Sequence, residues 1–270
     1  MLTDSAAQVV FLHGMLGSPG MWRGIAAGFS ARTGVASTSI TLPWHGLEPW
    51  GSEIGDFDCA ALAIGERLPP GPIVLVGYSL GGRLALAVAS QNKAVRAVIA
   101  IGAHLGLHTE TERAARQTWE RDMARLARER GMSGLVDVWA ALPVFASQTS
   151  LPDAERALER AARLAHRPDA IARAFEVLGT GSMPLLEARL RACNVAVVLL
   201  AGALDVSYVE ANRHAAASLG ATAVVIPGVG HNVALEAPAL LTQLIAEQPS
   251  LAPSRVKEPK PAFVGERRTS

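Results

Sequence analysis

Three residue types in this chain of 270 suit proton transfer and attack on a substrate carbon, and each falls at the end of a strand-like run. Ser79 stands in Gly77-Tyr78-Ser79-Leu80-Gly81-Gly82, between an apolar run at 72–76 and an Ala/Leu-rich, helix-like segment at 80–90. A serine on so sharp a strand-to-helix turn needs small neighbours, and its hydroxyl then projects above the sheet beside the positive end of a helix. A hydroxyl is weakly reactive without a proton acceptor. His231, in Pro227-Gly-Val-Gly-His-Asn, follows the last strand-like run and is expected to be that acceptor. Asp205, in Gly202-Ala-Leu-Asp205, follows the run at 195–201, where a carboxylate can orient the imidazole and steady its charged form. Glu210 and Glu236 compete for this role, although Glu236 lies in the helical segment after the histidine and is expected to pair locally. The Gly-rich run at 13–18 can aim a backbone N–H at a developing oxyanion. The expected donors are the backbones of Met15 and Leu80. Of the other histidines, His13 and His45 belong to separate motifs and His104 and His108 open an insertion. His166 and His214 lie on charged helical faces and are expected to be solvated.

Such a set must be positioned by a sheet. Apolar strand-like runs at 8–12, 35–42, 72–76 and 95–101 alternate with helical segments, and the pattern resumes at 195–201 and 222–226 before a closing helix at 233–247. Continuous apolar strands separated by helices predict an α/β fold with a mostly parallel sheet covered on both faces. Between about 109 and 176 the chain is dense in Arg, Ala and Glu. Its apolar residues there fall at helical spacing: Leu126, Met132, Leu135, Val138 and Trp139, then Leu158, Ala161, Ala162 and Leu164. Asp153 and Asp169 follow prolines where helices would begin. This predicts a core at 1–103 and 186–248 and a helical cap at 104–185 over the carboxyl ends of the strands. A flexible tail at 249–270, rich in proline, should follow.

Composition narrows the partners. Half of the residues are hydrophobic and the formal charge is +1, so neither nucleic acid nor an acidic membrane is an expected partner, and a small molecule is. Lysine occurs only at 93, 257 and 260, and the bias toward arginine suits planar anion recognition or, equally, reflects a GC-rich genome. Cys59 and Cys193 have neither metal-type nor redox-type spacing, and buried free thiols are expected. No Walker loop, dinucleotide loop or metal-ligand spacing occurs, so no cofactor or metal is expected. The first residues lack a signal-peptide pattern and the most apolar run is too short to span a bilayer. The expected location is the cytoplasm. Oligomeric state has no signature in these residues.

The run at 13–18, the segment Gly77-Tyr-Ser-Leu-Gly-Gly-Arg83 and Gly230-His-Asn232 with Glu236-Ala-Pro238 resemble the α/β-hydrolase superfamily. Arg83, Arg116-Gln117, Trp139 with Pro143-Val-Phe145, and Gly179-Thr-Gly-Ser-Met-Pro184 resemble one family within it. That family is the 2-succinyl-6-hydroxy-2,4-cyclohexadiene-1-carboxylate (SHCHC) synthases, or MenH lyases of menaquinone synthesis. The resemblance covers about residues 8 to 245. It implies that the histidine-activated serine removes a ring proton, that pyruvate is eliminated, and that arginines hold the carboxylates of the substrate. By position it implies substrate contacts for Arg83, Arg116 and Arg163, with Trp139 lining the pocket and Tyr78 beside the serine. Arg83 lies one helical turn after Ser79, on the same helix face. Arg116, Arg163 and Trp139 also have plain readings, as solvated ion-pair partners and as cap core.

The chain departs from that family's pattern where Thr41-Leu-Pro-Trp44-His45-Gly46 replaces Asp-Leu-Pro-Gly-His-Gly. Ala140, Met183 and Ser207 replace a polar aromatic, a glutamine and a basic residue. Each of these three changes removes polarity near the expected pocket. A hydrolase that cleaves an ester, thioester or carbon–carbon bond through an acyl-serine therefore stands beside the lyase. A non-catalytic binding protein on the same fold is a third reading, which an intact triad disfavours.

Overall fold

The computed structural model describes residues 7–47, 50 and 54–248. The expectations for the amino-terminal residues and for the 249–270 tail lie outside the described residues. The apolar runs form six parallel strands: β1 (Gln8–Leu12), β2 (Ser37–Ile40), β3 (Ile73–Tyr78), β4 (Val95–Ile101), β5 (Ala196–Gly202) and β6 (Thr222–Ile226). Their order is β2-β1-β3-β4-β5-β6, so the chain reverses its direction of travel between β1 and β3. In an open parallel sheet, ligands bind at such a switch point, outside the carboxyl ends of the strands.

Both faces are covered because alternate residues of each strand point opposite ways. Val10, Leu12, Ile73 and Leu75 pack on one side with α2 (Phe57–Glu66) and α3 (Leu80–Ala89). Val9, Phe11, Val74 and Val76 pack on the other with α1 (Arg23–Thr33) and the closing helix. β2 is shorter than the expected 35–42. At Leu42 the backbone N–H leaves the ladder to donate to His13 Nε2 at 3.0 Å, and Pro43 follows. The closing segment is two helices rather than one, with Ala237 in non-helical geometry just before Pro238.

Between β4 and β5 lie α4 (Glu110–Ala140), α5 (Asp153–Leu164), α6 (Pro168–Leu178) and the short α7 (Glu187–Arg191). α8 (Val206–Leu219) follows β5, and α9 (Val233–Glu236) and α10 (Pro238–Ala246) follow β6. A reciprocal capping box between Thr109 and Glu112 starts α4, and Gly131, at φ 63°, breaks it. Its buried positions, among them Met123, Ala127, Met132, Leu135 and Trp139, make a third apolar cluster with Ile171 and Phe175 of α6. Helical spacing in α5 does not mark core: Leu158 is 72% exposed and Arg163 is the helix's one fully buried residue. α5 therefore contributes no residue to this third apolar cluster. Among the described residues no helix is long and apolar enough to cross a membrane, and no group of three His, Cys, Asp or Glu could hold a metal ion.

Candidate active site

The turn after β3 holds Ser79 at φ 51° and ψ −111°, a left-handed strain for a residue with a side chain. The glycines around it make that turn possible. A Cβ on Gly77 would lie 2.3 Å from the carbonyl oxygen of Gly81, and one on Gly81 would lie 2.2 Å from that of Leu12. The Ser79 N–H donates to Ile101 O at 2.7 Å, which anchors the turn to β4.

The structure brings Ser79, His231 and Asp205 together. The serine hydroxyl donates to His231 Nε2 at 3.1 Å, and His231 Nδ1–H donates to Asp205 Oδ2 at 2.6 Å. Asp205 and His231 are buried, which strengthens the bond between them. Glu236 plays a different part: it accepts from the N–H groups of Gly230 at 2.7 Å and Asn232 at 3.3 Å, and so braces the histidine loop. Glu210 is exposed on α8. The backbone N–H groups of Met15 and Leu80 have no acceptor among the described residues, and both residues lie beside Ser79. A cavity of about 570 Å³ opens there, lined by Met15, Tyr78, Ser79, Trp139, Phe145 and Arg163.

Of the three arginines Arg163 lines this cavity, beside Glu155 and Glu159, whereas Arg83 and Arg116 are not among its lining residues. Arg83 is buried and donates to Leu178 O at 3.2 Å, yet no carboxylate among the described residues pairs with it. Burial pulls its pKa down to about 10, and the Arg116 charge adds to that, against Tyr208 and Glu120. Arg116 is half-buried, pairs with Glu120 at 2.8 Å and lies over the Trp119 ring. Arg163 is buried, pairs with Glu159 at 2.9 Å and lies 5.5 Å over the Phe145 ring. Burial pushes the Tyr78 phenol well up, while Arg163 pulls against it. Trp139 serves both readings, since it lines the cavity and packs in the cap cluster against Phe145 and Phe175. Tyr78 lies over Gly14, where a Cβ would meet its ring at 2.8 Å.

Three groups at or behind the site are not evident from the sequence. Tyr208, on the first turn of α8, packs its ring 4.7 Å from the His231 ring. Burial raises its phenol pKa, and Arg83 and Arg116 pull it down. Its position three residues after Asp205 is the signal that could have found it, because on a helix that spacing shares a face. Glu120 is a buried carboxylate that accepts from Thr180 N at 2.5 Å, from Gly181 N at 3.1 Å and from Arg116. The Gly179–Pro184 motif is thus the loop that chelates Glu120. His166, expected in solvent, is half-buried and bonded to Leu16 O at 3.1 Å. A carbonyl of the core draws it inward.

The chain matches the alpha/beta hydrolase family over residues 9–244. It is 33% identical over 243 residues to a 2-succinyl-6-hydroxy-2,4-cyclohexadiene-1-carboxylate synthase of Escherichia coli strain UMN026, covering 88% of this chain and 92% of that one. Its fold superposes on MenH from S. aureus with a TM-score of 0.84 and 27% identity, over 91% of this chain and 93% of that one. A thermophilic esterase from Thermogutta terrifontis shares the fold at a TM-score of 0.76 and 22% identity, over 90% and 89% of the two chains. With the parallel sheet, the strained serine turn and the helices inserted between β4 and β5, these matches show that the chain belongs to the alpha/beta hydrolase family.

Proposed function

We propose that this enzyme is a lyase of the SHCHC synthase type, acting on a small substrate that bears several carboxylates. The observation that carries the reading is Arg83. A buried guanidinium without a carboxylate partner is costly, and one sited a helical turn from Ser79 is suited to receive an anion from the substrate. Arg163 lines the cavity beside Ser79, with its charge paired to Glu159.

In this reading Ser79 gives its proton to His231 Nε2 as its oxygen takes a proton from the substrate ring. The C–H electrons move into the ring, and charge that develops on a conjugated oxygen falls to the N–H groups of Met15 and Leu80. The ring electrons then expel the enolpyruvyl oxygen, breaking the C–O bond. The proton held by His231 completes pyruvate. Asp205 accepts the Nδ1–H bond and steadies the imidazolium. Continuous measurement of pyruvate release from the succinyl-enolpyruvyl precursor tests this. Ser79→Ala should lose at least about 10³-fold in kcat. Arg83→Ala should lose about 10- to 100-fold in kcat/KM, the worth of a charge-assisted bond. A purified wild-type protein that releases no pyruvate rules the reading out.

The hydrolase reading retains one specific support. The same hydroxyl, imidazole and N–H groups fit an acyl-serine, and Ala140, Met183 and Ser207 leave fewer polar groups than the lyase pattern. A burst of product from an activated ester, with no pyruvate from the precursor, would favour it.

A further inference from the structure

Leu16 lies next to Met15 in the loop after β1, and three features single it out. Its φ is 59°, a left-handed strain in a residue with a branched side chain. Its side chain is 1% exposed and packs in the cap cluster, with Met123, Leu135, Trp139 and Phe175, although its backbone belongs to the core. Both of its backbone polar groups are gripped by histidines. Leu16 N–H donates to His45 Nε2 at 3.2 Å, and His166 Nε2–H donates to Leu16 O at 3.1 Å.

The two histidines come from different parts of the chain. His45 is fully enclosed in the loop after β2, and its Nδ1–H donates to Pro43 O at 2.8 Å, which fixes Nε2 as an acceptor. His166 lies between α5 and α6 of the cap, with its ring edge-on to His45 at 5.5 Å. His13 completes the stack, 5.1 Å from His45, and ties the start of the same loop to Leu42 N–H. The loop is thus held at the peptide units on either side of Leu16, and the free Met15 N–H is one residue away.

We propose that His166 is a positioning residue for the oxyanion site: by donating to Leu16 O from the cap, it sets the direction of the Met15 N–H, so the oxyanion site is complete only when the cap is seated. The inference rests on the reading of Ser79 and the Met15 N–H as reacting machinery. A strained peptide gripped at one end only can relax, and a donor displaced by about 1 Å can lose on the order of 10²-fold in rate. Loss of the His166 bond therefore acts on kcat more than on KM, because the oxyanion forms only in the transition state.

Two variants separate positioning from bulk stability. His166→Phe keeps a ring against His45 and removes the donor. His166→Gln places an amide N–H near the same point. Pyruvate release and Ser79 phosphonylation by a fluorophosphonate are measured for each, with thermal unfolding alongside. His166→Phe should lower kcat about tenfold or more, with KM within about threefold, and slow phosphonylation comparably, since that reaction also charges an oxygen in the same site. His166→Gln should return both rates to within about threefold of wild type. Unchanged rates in His166→Phe overturn the proposal. So does slowed turnover with normal phosphonylation, which would place His166 on the substrate instead. A loss in His166→Phe that tracks a lowered unfolding temperature and that glutamine does not restore marks a structural role only, and also overturns it. Full turnover by Ser79→Ala would instead refute the underlying catalytic reading.

Discussion

His231 is gripped by rings: Tyr208 at 4.7 Å, Tyr78 at 5.3 Å and Phe145 at 5.9 Å between centroids. Ring contacts fix its plane, and the bonds to Asp205 and Ser79 fix its rotation. Tyr208 brings something more. Its hydroxyl has no hydrogen-bond partner among the described residues, and Arg83 and Arg116 both act on its ionisation. In the proposed lyase, where Arg83 and Arg116 receive substrate carboxylates, this phenol is able to donate to the same oxygens. Tyr208→Phe keeps the ring and deletes the donor. Its expected effect is a rise of about 3- to 10-fold in KM, the worth of one neutral hydrogen bond, with kcat within about twofold. Tyr208→Ala also removes the ring from His231 and should lower kcat. Steady-state kinetics of the two variants separate these roles, and a KM unchanged in Tyr208→Phe would remove the phenol from the substrate's contacts.

At the scale of elements, α4 and the loop at 179–184 are joined by a carboxylate. Glu120 is 2% exposed and takes two backbone N–H groups of that loop as well as Arg116. Gly179 is required there, because a Cβ would lie 2.1 Å from Glu120 Oε2. Gln117, the next residue after Arg116, donates to Gly181 O at 2.9 Å. Glu120→Ala strands two buried donors and frees Arg116, which should cost about 2–4 kcal/mol in urea unfolding. Glu120→Gln keeps an acceptor and should cost about half as much. Equal stability of the alanine variant and wild type would show that the knot adds nothing. The same elements show what a sequence can reveal. The Ser79 turn is readable because steric necessity writes it in glycines, and the Asp205 and His231 positions follow from strand ends. Helical spacing is legible in α4 as well, where Met132, Leu135 and Trp139 share the buried face. Glu120 stays hidden because a buried carboxylate in an Arg/Glu-rich helix looks like its solvated neighbours. Besides Arg116, its partners are backbone N–H groups about 60 residues away, which have no side-chain signature. Leu158 shows the limit of periodicity, which predicts the helix α5 but does not say what its apolar face meets; that residue lines the cavity and is 72% exposed. Trp44 stands at φ 63° where the resembling motif carries glycine. Its ring rests on the core and lies 5.8 Å from the Arg173 guanidinium of α6, an offset for backbone strain that no local pattern announces.

For the whole molecule the buried histidines set a limit in acid. Burial lowers His13 from 6.5 to about 4 and holds His45 well below 6.5, with the His13 charge adding to the effect on His45. His104 falls to about 3, through burial first and then the charges of Arg83 and Arg116, and burial also lowers His166. Neutrality suits the hydrogen bonds that three of them make, since His13 and His45 accept backbone N–H bonds at Nε2 and His104 accepts Gly106 N–H at Nδ1. The unfolded chain, with ordinary histidines, binds more protons than the native one below 6.5. Stability therefore rises with pH across this window and is lost as pH falls from about 6.5 toward 4. At pH 5 each strongly depressed group costs roughly 2 kcal/mol relative to neutral pH, against a total stability of about 5–15 kcal/mol. Asp56 and Glu112, whose carboxyls are held below their ordinary values by hydrogen bonds, titrate only at still lower pH and do not offset the loss. The unfolding midpoint should drop by on the order of 10–20 °C between pH 7 and pH 5. The dependence of the unfolding constant on pH should correspond to about three protons taken up. Calorimetric scans in buffers of low ionisation enthalpy measure both. His13→Asn should flatten the slope by about one proton wherever it still folds. A midpoint that holds steady from pH 7 to pH 5 would mean that these imidazoles do not stay neutral at their buried positions, and with that the histidine grip on Leu16 would lose its fixed sense of donor and acceptor.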